Sequence, residues 1–369
     1  MFIKQISRND LLKPLQAVVG IVERKQPLPI LSNVLVKKND EGVRFITTDL
    51  EIQIEAQLKT KIQSTGSTDS VTFSAKKLQE ILRAIPEDSL VTLDSSENKL
   101  LVKANKSRFT LQTLPAQDFP SLTEQLAGSV KIKIEQGCLK RLLASVQHAM
   151  AQQDIRYYLN GVLLVIEGNL IKLIATDGHR LAYVEEKLST EYPKKEVILS
   201  RKTVNELLKL LLDSQDILEL ELAEKQVRVT FADIVLTSKV IDGKFPDFTR
   251  VIPNHTNNLT LNRVLIQQAL QRAAILSNEK FRGVRLLLTE KNLQIISSNS
   301  EQEEAQEDIE TDYQGSALDI GFNVNYLLEG INNINSANVT LSFGDQSSSL
   351  LITIPEQSDY KYVVMPMRI

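Results

Sequence analysis

Leu173-Ile174-Ala175-Thr176-Asp177-Gly178 is a strand-like apolar run that ends in a polar turn, and it has two counterparts in the chain. Phe45-Ile46-Thr47-Thr48-Asp49-Leu50 precedes it, and Ile295-Ile296-Ser297-Ser298-Asn299-Ser300 follows it. Asp49 and Asp177 stand 128 residues apart, and Asp177 and Asn299 stand 122 apart. A period of that size is a domain, not the unit of a small-repeat solenoid.

Other landmarks recur in step. Ser74, Ser200 and Asn323 are good helix N-caps, each after a short apolar stretch, at spacings of 126 and 123. Leu78, Ile81, Leu82 and Ile85 follow the first cap, and Val204, Leu207, Leu208 and Leu211 follow the second at the same offsets. The third gives Leu327, Ile331 and Ile334, with Gly330 at the missing position. These offsets mark amphipathic helices packed by one face. An earlier helix opens each unit. Its stripe is Leu12, Leu15, Val19 and Val22 after Ser7, then Leu139, Leu142, Leu143, Val146 and Met150, then Leu265, Ala269 and Ala273 after Asn262. Pro14 should kink or weaken the first of these. Alternating runs such as Leu218-Glu219-Leu220-Glu221-Leu222 read as antiparallel strands. The expectation is three tandem, similar α+β domains, at 1–127, 128–253 and 254–369.

The chain has 369 residues, 42% of them apolar, and a formal charge of −3. That charge argues against gripping nucleic acid by bulk electrostatics, though not against basic residues gathered on one face. One cysteine, Cys138, allows no internal disulfide. The first residues open no apolar run of signal-peptide length, so a cytoplasmic protein is expected.

Catalytic signals are thin. Asp177 and His179 could orient a general base, but no Gly-x-Ser-x-Gly elbow accompanies them, and the first repeat carries Leu50-Glu51 there. A binding or structural role is expected instead. His148, His179 and His255 lie far apart, so no zinc spacing exists and no metal is expected. No phosphate-loop or dinucleotide glycine pattern is present, so no cofactor is expected. The stretch from Glu301 to Asp312 holds seven carboxylates and no basic residue. It reads equally as a solvated strand edge or as a docking surface for a basic partner. The helices' free faces carry Lys13, Arg24, Lys76, Lys77, Arg83, Lys140, Arg141, Arg201, Lys202, Lys209, Arg263 and Arg272. Together they suggest a diffuse phosphate-facing surface.

Thr176-Asp177-Gly178-His179-Arg180-Leu181-Ala182, Arg156-Tyr157-Tyr158-Leu159-Asn160-Gly161 and Ser277-Asn278-Glu279-Lys280-Phe281-Arg282-Gly283 resemble signatures of the bacterial DNA polymerase III beta subunit family. So do Phe245-Pro246-Asp247-Phe248, the Pro115 to Pro120 turn and the terminal Tyr362-Val363-Val364-Met365-Pro366-Met367-Arg368-Ile369. The resemblance spans the chain in order. It implies a sliding-clamp fold closed as a head-to-tail homodimeric ring, with helices lining a hole around duplex DNA and sheets outside. It implies a non-catalytic processivity factor of a DNA-directed DNA polymerase, a nucleotidyltransferase whose chemistry lies in other subunits.

The resemblance also assigns residues. Arg24 and Gln153 match DNA-contacting positions, with Tyr157 and Tyr158 nearby, and Arg201 and Lys202 join them from the helix pattern. A partner-peptide pocket falls on Leu159, Thr176, Gly178, His179, Arg180, Leu181, Pro246, Arg250, Val251, Phe281, Asn323, Tyr326, Ser349, Val363, Met365, Pro366, Met367 and Arg368. Implied partners are the polymerase III alpha subunit, the clamp-loader delta subunit and its complex, translesion and repair polymerases, mismatch repair proteins and DNA ligase, with no membrane. Ser347 and Ile369 depart from the family's usual residues. At the ring seam, Phe109 and Leu111 should pack on Ile275 and Leu276 of a second copy. Lys77, Lys106 and Arg108 should face Glu301, Glu303, Glu304 and Glu307.

Overall fold

The computed structural model describes residues 3–23, 28–60, 69–96, 98–122 and 125–369. These divide into two compact units. One comprises Met1–Cys138 and Asn205–Val240, the other Leu139–Val204 and Ile241–Ile369. The units cut across the sequence repeat because strands of neighbouring repeats share sheets.

In the first unit twelve strands join in one antiparallel sheet. The first repeat's strand Ile52–Lys59 pairs with the second repeat's Ile234–Lys239, from Ile52↔Ser238 to Ala56↔Ile234. The second unit has a six-stranded and a four-stranded sheet. In the larger one the second repeat's long strand Arg180–Ser200 pairs with the third repeat's Gln357–Val364, from Arg180↔Val364 to Val184↔Tyr360. The four-stranded sheet runs Glu304–Glu310, Asn292–Ser298, Gly283–Thr289, Leu318–Asn323. Its inward positions Val284, Leu286, Ile320 and Phe322 are buried, with intervening residues facing out. No helix among the described residues is long and apolar enough to cross a membrane.

Six helices occur among the described residues: α1 (Arg8–Val19), α2 (Ala75–Ala84), α3 (Gln136–Val146), α4 (Arg201–Leu210), α5 (Arg263–Ala274) and α6 (Val324–Asn332). Their starts follow the expected caps. Ser7 accepts from the Asp10 amide, Ser74 from Lys77, Ser200 from Thr203, Asn262 from Val264 and Leu265, and Asn323 from Asn325 and Tyr326. α1 continues through Pro14, which is buried. The proline removes one backbone donor there without ending the helix.

α5 departs from the expected stripe. Its buried face is Ile266, Ala269, Leu270 and Ala273, while Leu265 is 46% exposed. The buried set keeps the 0, 3, 4, 7 spacing but starts one residue later. It buries two bulky side chains where the other choice would bury one.

The missing residue of α6 has a physical cause. A Cβ at Gly330 would lie 2.3 Å from Cδ1 of Tyr362. The ring of Tyr362 fills the notch, fully buried, and its hydroxyl donates to the Tyr326 carbonyl at 3.1 Å. An alanine here gains about 1 kcal/mol of helix propensity, but overpacking a filled core costs about 1–3 kcal/mol. The Gly330→Ala protein should therefore unfold at lower urea concentration than the parent, with an unchanged m-value; a midpoint at or above the parent's would refute the notch.

Candidate functional site

The turns of the first two repeats fold alike, while in the third Asn299 Oδ1 accepts from the Glu301 and Glu303 amides. In the second repeat the Thr176 hydroxyl donates to the Arg180 carbonyl and accepts from the Gly178 amide, while Asp177 Oδ1 accepts from the amides of His179 and Arg180. In the first repeat Thr48 bridges Ile52 and Leu50 in the same way, and Asp49 Oδ1 takes the amides of Glu51 and Ile52. Thr and Asp are thus structural braces, and Asp177 spends one oxygen on the backbone. Gly178 has φ of +90°, which an L side chain rarely adopts. A Cβ there would also meet the Arg156 guanidinium at 3.2 Å. Leu50 accepts φ of +77° in the equivalent place.

Arg180 separates the two turns chemically. Its guanidinium pairs with Asp177 at 3.1 Å and with Glu329, and donates to the His148 carbonyl at 2.6 Å. It also lies 4.5 Å from the centre of the Tyr326 ring. Buried arginine needs such partners on every donor. His179 stacks on Tyr326, with ring centres 6.4 Å apart. This arrangement orders a wall; it places no nucleophile beside a base.

Two cavities meet at that wall. One, about 230 Å³, is lined mainly by apolar groups: Leu159, Leu181, Phe245, Pro246, Phe248, Val251, Val363 and Met365, with Arg156, Thr176, Gly178 and Arg180. Nine of the eighteen expected pocket residues are among them. The other, about 610 Å³, is polar and includes His148, Gln152, Gln153, His179, Arg180, Arg201 and Tyr326. Phe281, Asn323 and Arg250 line neither. Nor do Ser349, Pro366, Met367 and Arg368. Arg156, Phe245 and Phe248 were missed as lining residues, although each belongs to a motif the sequence singles out.

Ala151–Asn160 forms a braced loop. The Asn160 side chain holds both the amide and the carbonyl of Asp154. Arg201 donates to the Met150 and Ala151 carbonyls. Arg156 pairs with Asp154 and holds its carboxyl down to about 2. The loop displays Gln153, Ile155 at 97% exposure and Tyr157 at 58%. Arg201 therefore shapes the loop that carries Gln153. Arg24 lies outside the described residues.

Several expected basic groups are already engaged. Arg141 bonds Glu186, Lys209 bonds Glu206, Arg263 donates to the Ser336 carbonyl, and Arg272 makes a two-pronged pair with Glu307. Ser107–Leu114, carrying Arg108, Phe109 and Leu111, meets Ser70–Ser74 only at Thr113 and Leu114. From Ser107 to Gln112 it is paired on one side alone among the described residues. Glu304–Glu310 is the terminal strand of its sheet. Ile275 is 75% exposed just past α5. No group of three or more His, Cys, Asp or Glu fit to hold a metal occurs among the described residues.

Models of the DNA polymerase III beta subunit match the chain in three pieces: the N-terminal domain over residues 1–123, the central domain over 133–247 and the C-terminal domain over 249–368. A beta sliding clamp from Pseudomonas putida is 44% identical over 366 residues, covering 99% of each chain. One from Escherichia coli is 40% identical over 365 residues, again covering 99% of each. A crystal structure of the DNA polymerase III subunit beta from Pseudomonas aeruginosa aligns with a TM-score of 0.96 at 42% identity, over 100% of both chains.

His148 offers a test of the wall's interior. Both ring nitrogens are buried without a hydrogen-bond partner, and the ring lies 5.2 Å from that of Tyr362. Burial, reinforced by the Arg180 charge, holds the imidazole down to about 3. The unfolded chain therefore binds this proton first, and stability present above pH 6.5 is lost as pH falls. Between pH 7 and pH 5 the loss should be about 2 kcal/mol. Urea titrations of His148→Met should show that slope flattened; an unaltered slope would assign it elsewhere.

Proposed function

The chain belongs to the DNA polymerase III beta subunit family, and on that premise we propose that it closes as a homodimeric ring whose peptide pocket recruits replication and repair proteins to DNA. Family members are sliding clamps, processivity factors without catalytic activity of their own. The chain is accordingly a DNA-bound processivity factor and not an enzyme.

One observation carries the ring. Neighbouring repeats merge their sheets, and among the edges that remain are a half-paired strand in the first repeat that carries Arg108, with Lys106 in the turn before it, and a terminal acidic strand in the third. Exposed edges of this kind invite strand addition, and here their charges are opposite. A second copy supplies both partners head to tail. Phe109 meets Ile275 and Leu276 of the other copy, whereas Leu111, expected beside it, is buried within its own chain and contributes less; Lys77, Lys106 and Arg108 meet Glu301, Glu303 and Glu304. Glu307, held by Arg272, contributes less than the sequence suggests. The three repeats, with boundaries near 127 and 253, give six domains around the hole.

The apolar cavity is the seat of a short peptide motif of mixed polar and hydrophobic residues, with Met365 an adaptable wall. The polymerase alpha subunit, the loader's delta subunit, translesion and repair polymerases, mismatch repair proteins and DNA ligase compete for it. Gln153, Tyr157, Tyr158 and Lys202 face the duplex, Arg201 acts by holding the loop that carries Gln153, and Arg24 joins them on the resemblance alone. Non-specific contacts of this kind give dissociation constants of about 10⁻⁴–10⁻⁶ M at physiological salt. Such binding is too weak to retain a polymerase, so retention is topological.

Two measurements test the reading. Loaded protein should persist on closed circular DNA and be lost from linear DNA of the same length; equal loss from both would end the topological model. Replacing Ile275 and Leu276 together by alanine should halve the mass seen by light scattering at low micromolar concentration, whereas a full-mass dimer would move the seam elsewhere.

A further inference from the structure

After the strand Gln357–Val364, the last five residues run on without regular structure, yet they are anchored at two points. The Met365 amide donates to the His179 carbonyl at 2.9 Å, and the Met367 amide donates to the Gly321 carbonyl at 2.9 Å. The second anchor rests on the outer face of the four-stranded sheet. Gly283 pairs with Asn323, and Arg285 pairs with Gly321. The two glycines are therefore diagonal neighbours on adjacent strands, on the face opposite Val284 and Phe322.

Gly321 has no room for a side chain, and at Gly283 one would have to push Ile369 aside. A Cβ at Gly321 would lie 2.5 Å from the Met367 carbonyl oxygen and 2.8 Å from Cδ1 of Ile369. A Cβ at Gly283 would lie 3.0 and 3.1 Å from Cδ1 and Cγ1 of Ile369. Strand interiors disfavour glycine, and its presence there marks close approach of another chain segment. Here that segment is the C-terminal tail. Both glycines have ordinary negative φ, so backbone freedom does not explain them.

We propose that Gly283 and Gly321 are positioning residues that seat the tail through Ile369 and Met367, and so hold Met365 at the edge of the apolar cavity for peptide binding. Seating fixes the tail before the peptide arrives and lowers the ordering cost of binding. The inference rests on the peptide-pocket reading above.

The test uses the full-length dimer and two readouts. The first is the rate at which carboxypeptidase Y releases Ile369. The second is fluorescence anisotropy with a labelled peptide carrying the clamp-binding segment of the polymerase III alpha subunit. Gly321→Ala should release Ile369 at least tenfold faster and weaken peptide binding at least tenfold, with dimer mass unchanged. Gly283→Ala should weaken binding less, since its methyl would meet the movable tip of Ile369 and not backbone. Adding Ile369→Ala should not rescue Gly321→Ala, whose methyl still meets the Met367 carbonyl. Unchanged trimming in Gly321→Ala would overturn the seat, and faster trimming with unchanged affinity would overturn its link to binding. If the parent itself binds no peptide, the pocket reading fails, and with it the role of the seat in binding.

Discussion

Lateral strand pairing between repeats is the interaction on which the rest of the structure depends. An isolated repeat would expose strand edges with unmet backbone donors and acceptors, an aggregation hazard. The chain removes several of them internally. Ile52–Lys59 meets Ile234–Lys239, and Arg180–Ser200 meets Gln357–Val364. Each junction draws one strand from either side of a repeat boundary, so the second repeat is divided between the two compact units. Two of the edges left over, the free side of Ser107–Leu114 with Arg108 and the acidic Glu304–Glu310, are of opposite charge, and the proposed dimer repeats between chains the device already used within one.

The same junction turns one of two similar turns into a site. Both turns share the Thr and Asp brace, so the brace alone confers no function. What differs is the residue set hung on it. The second repeat places Gly178, His179 and Arg180 where the first has Leu50, Glu51 and Ile52. Arg180, itself buried, then collects Asp177, the half-exposed Glu329, the His148 carbonyl and Tyr326 into one cluster. Removing both carboxylates would leave the buried Arg180 charge without compensation. The cluster is accordingly a rigid partition between an apolar cavity and a polar one.

The repeat, the helix caps and most apolar stripes were legible because they are local and periodic. Ser7, Ser74, Ser200, Asn262 and Asn323 all cap as their side-chain chemistry requires. Two stripes needed the tertiary partner. In α5 the periodic pattern admits two registers, and only packing selects Ile266 and Leu270. In α6 the gap at Gly330 has no local meaning until Tyr362, 32 residues later, enters it. Half of the expected pocket gathers around one cavity, and residues such as Phe281 and Arg250 do not line it. Those assignments came from resemblance, and periodicity has no bearing on which exposed side chains converge.

Charge bears on function in a similar way. The chain has a net charge of −3, and eleven of the basic residues singled out in its sequence lie on described helices, the raw material of a phosphate-binding surface. Much of that charge is committed inside the molecule. Arg141, Lys209 and Arg272 each answer a carboxylate, and Arg201 braces the backbone of the loop bearing Gln153. Exposed ion pairs contribute only about 0–1 kcal/mol each, so they are not there chiefly for stability. Their consequence is electrostatic: each neutralised cation releases fewer counterions from DNA and flattens the binding landscape along it. A factor that must move along a duplex without letting go needs that flatness. The strength it gives up in the phosphate contacts has to reappear at the seam of the ring, which the proposal places at those strand edges.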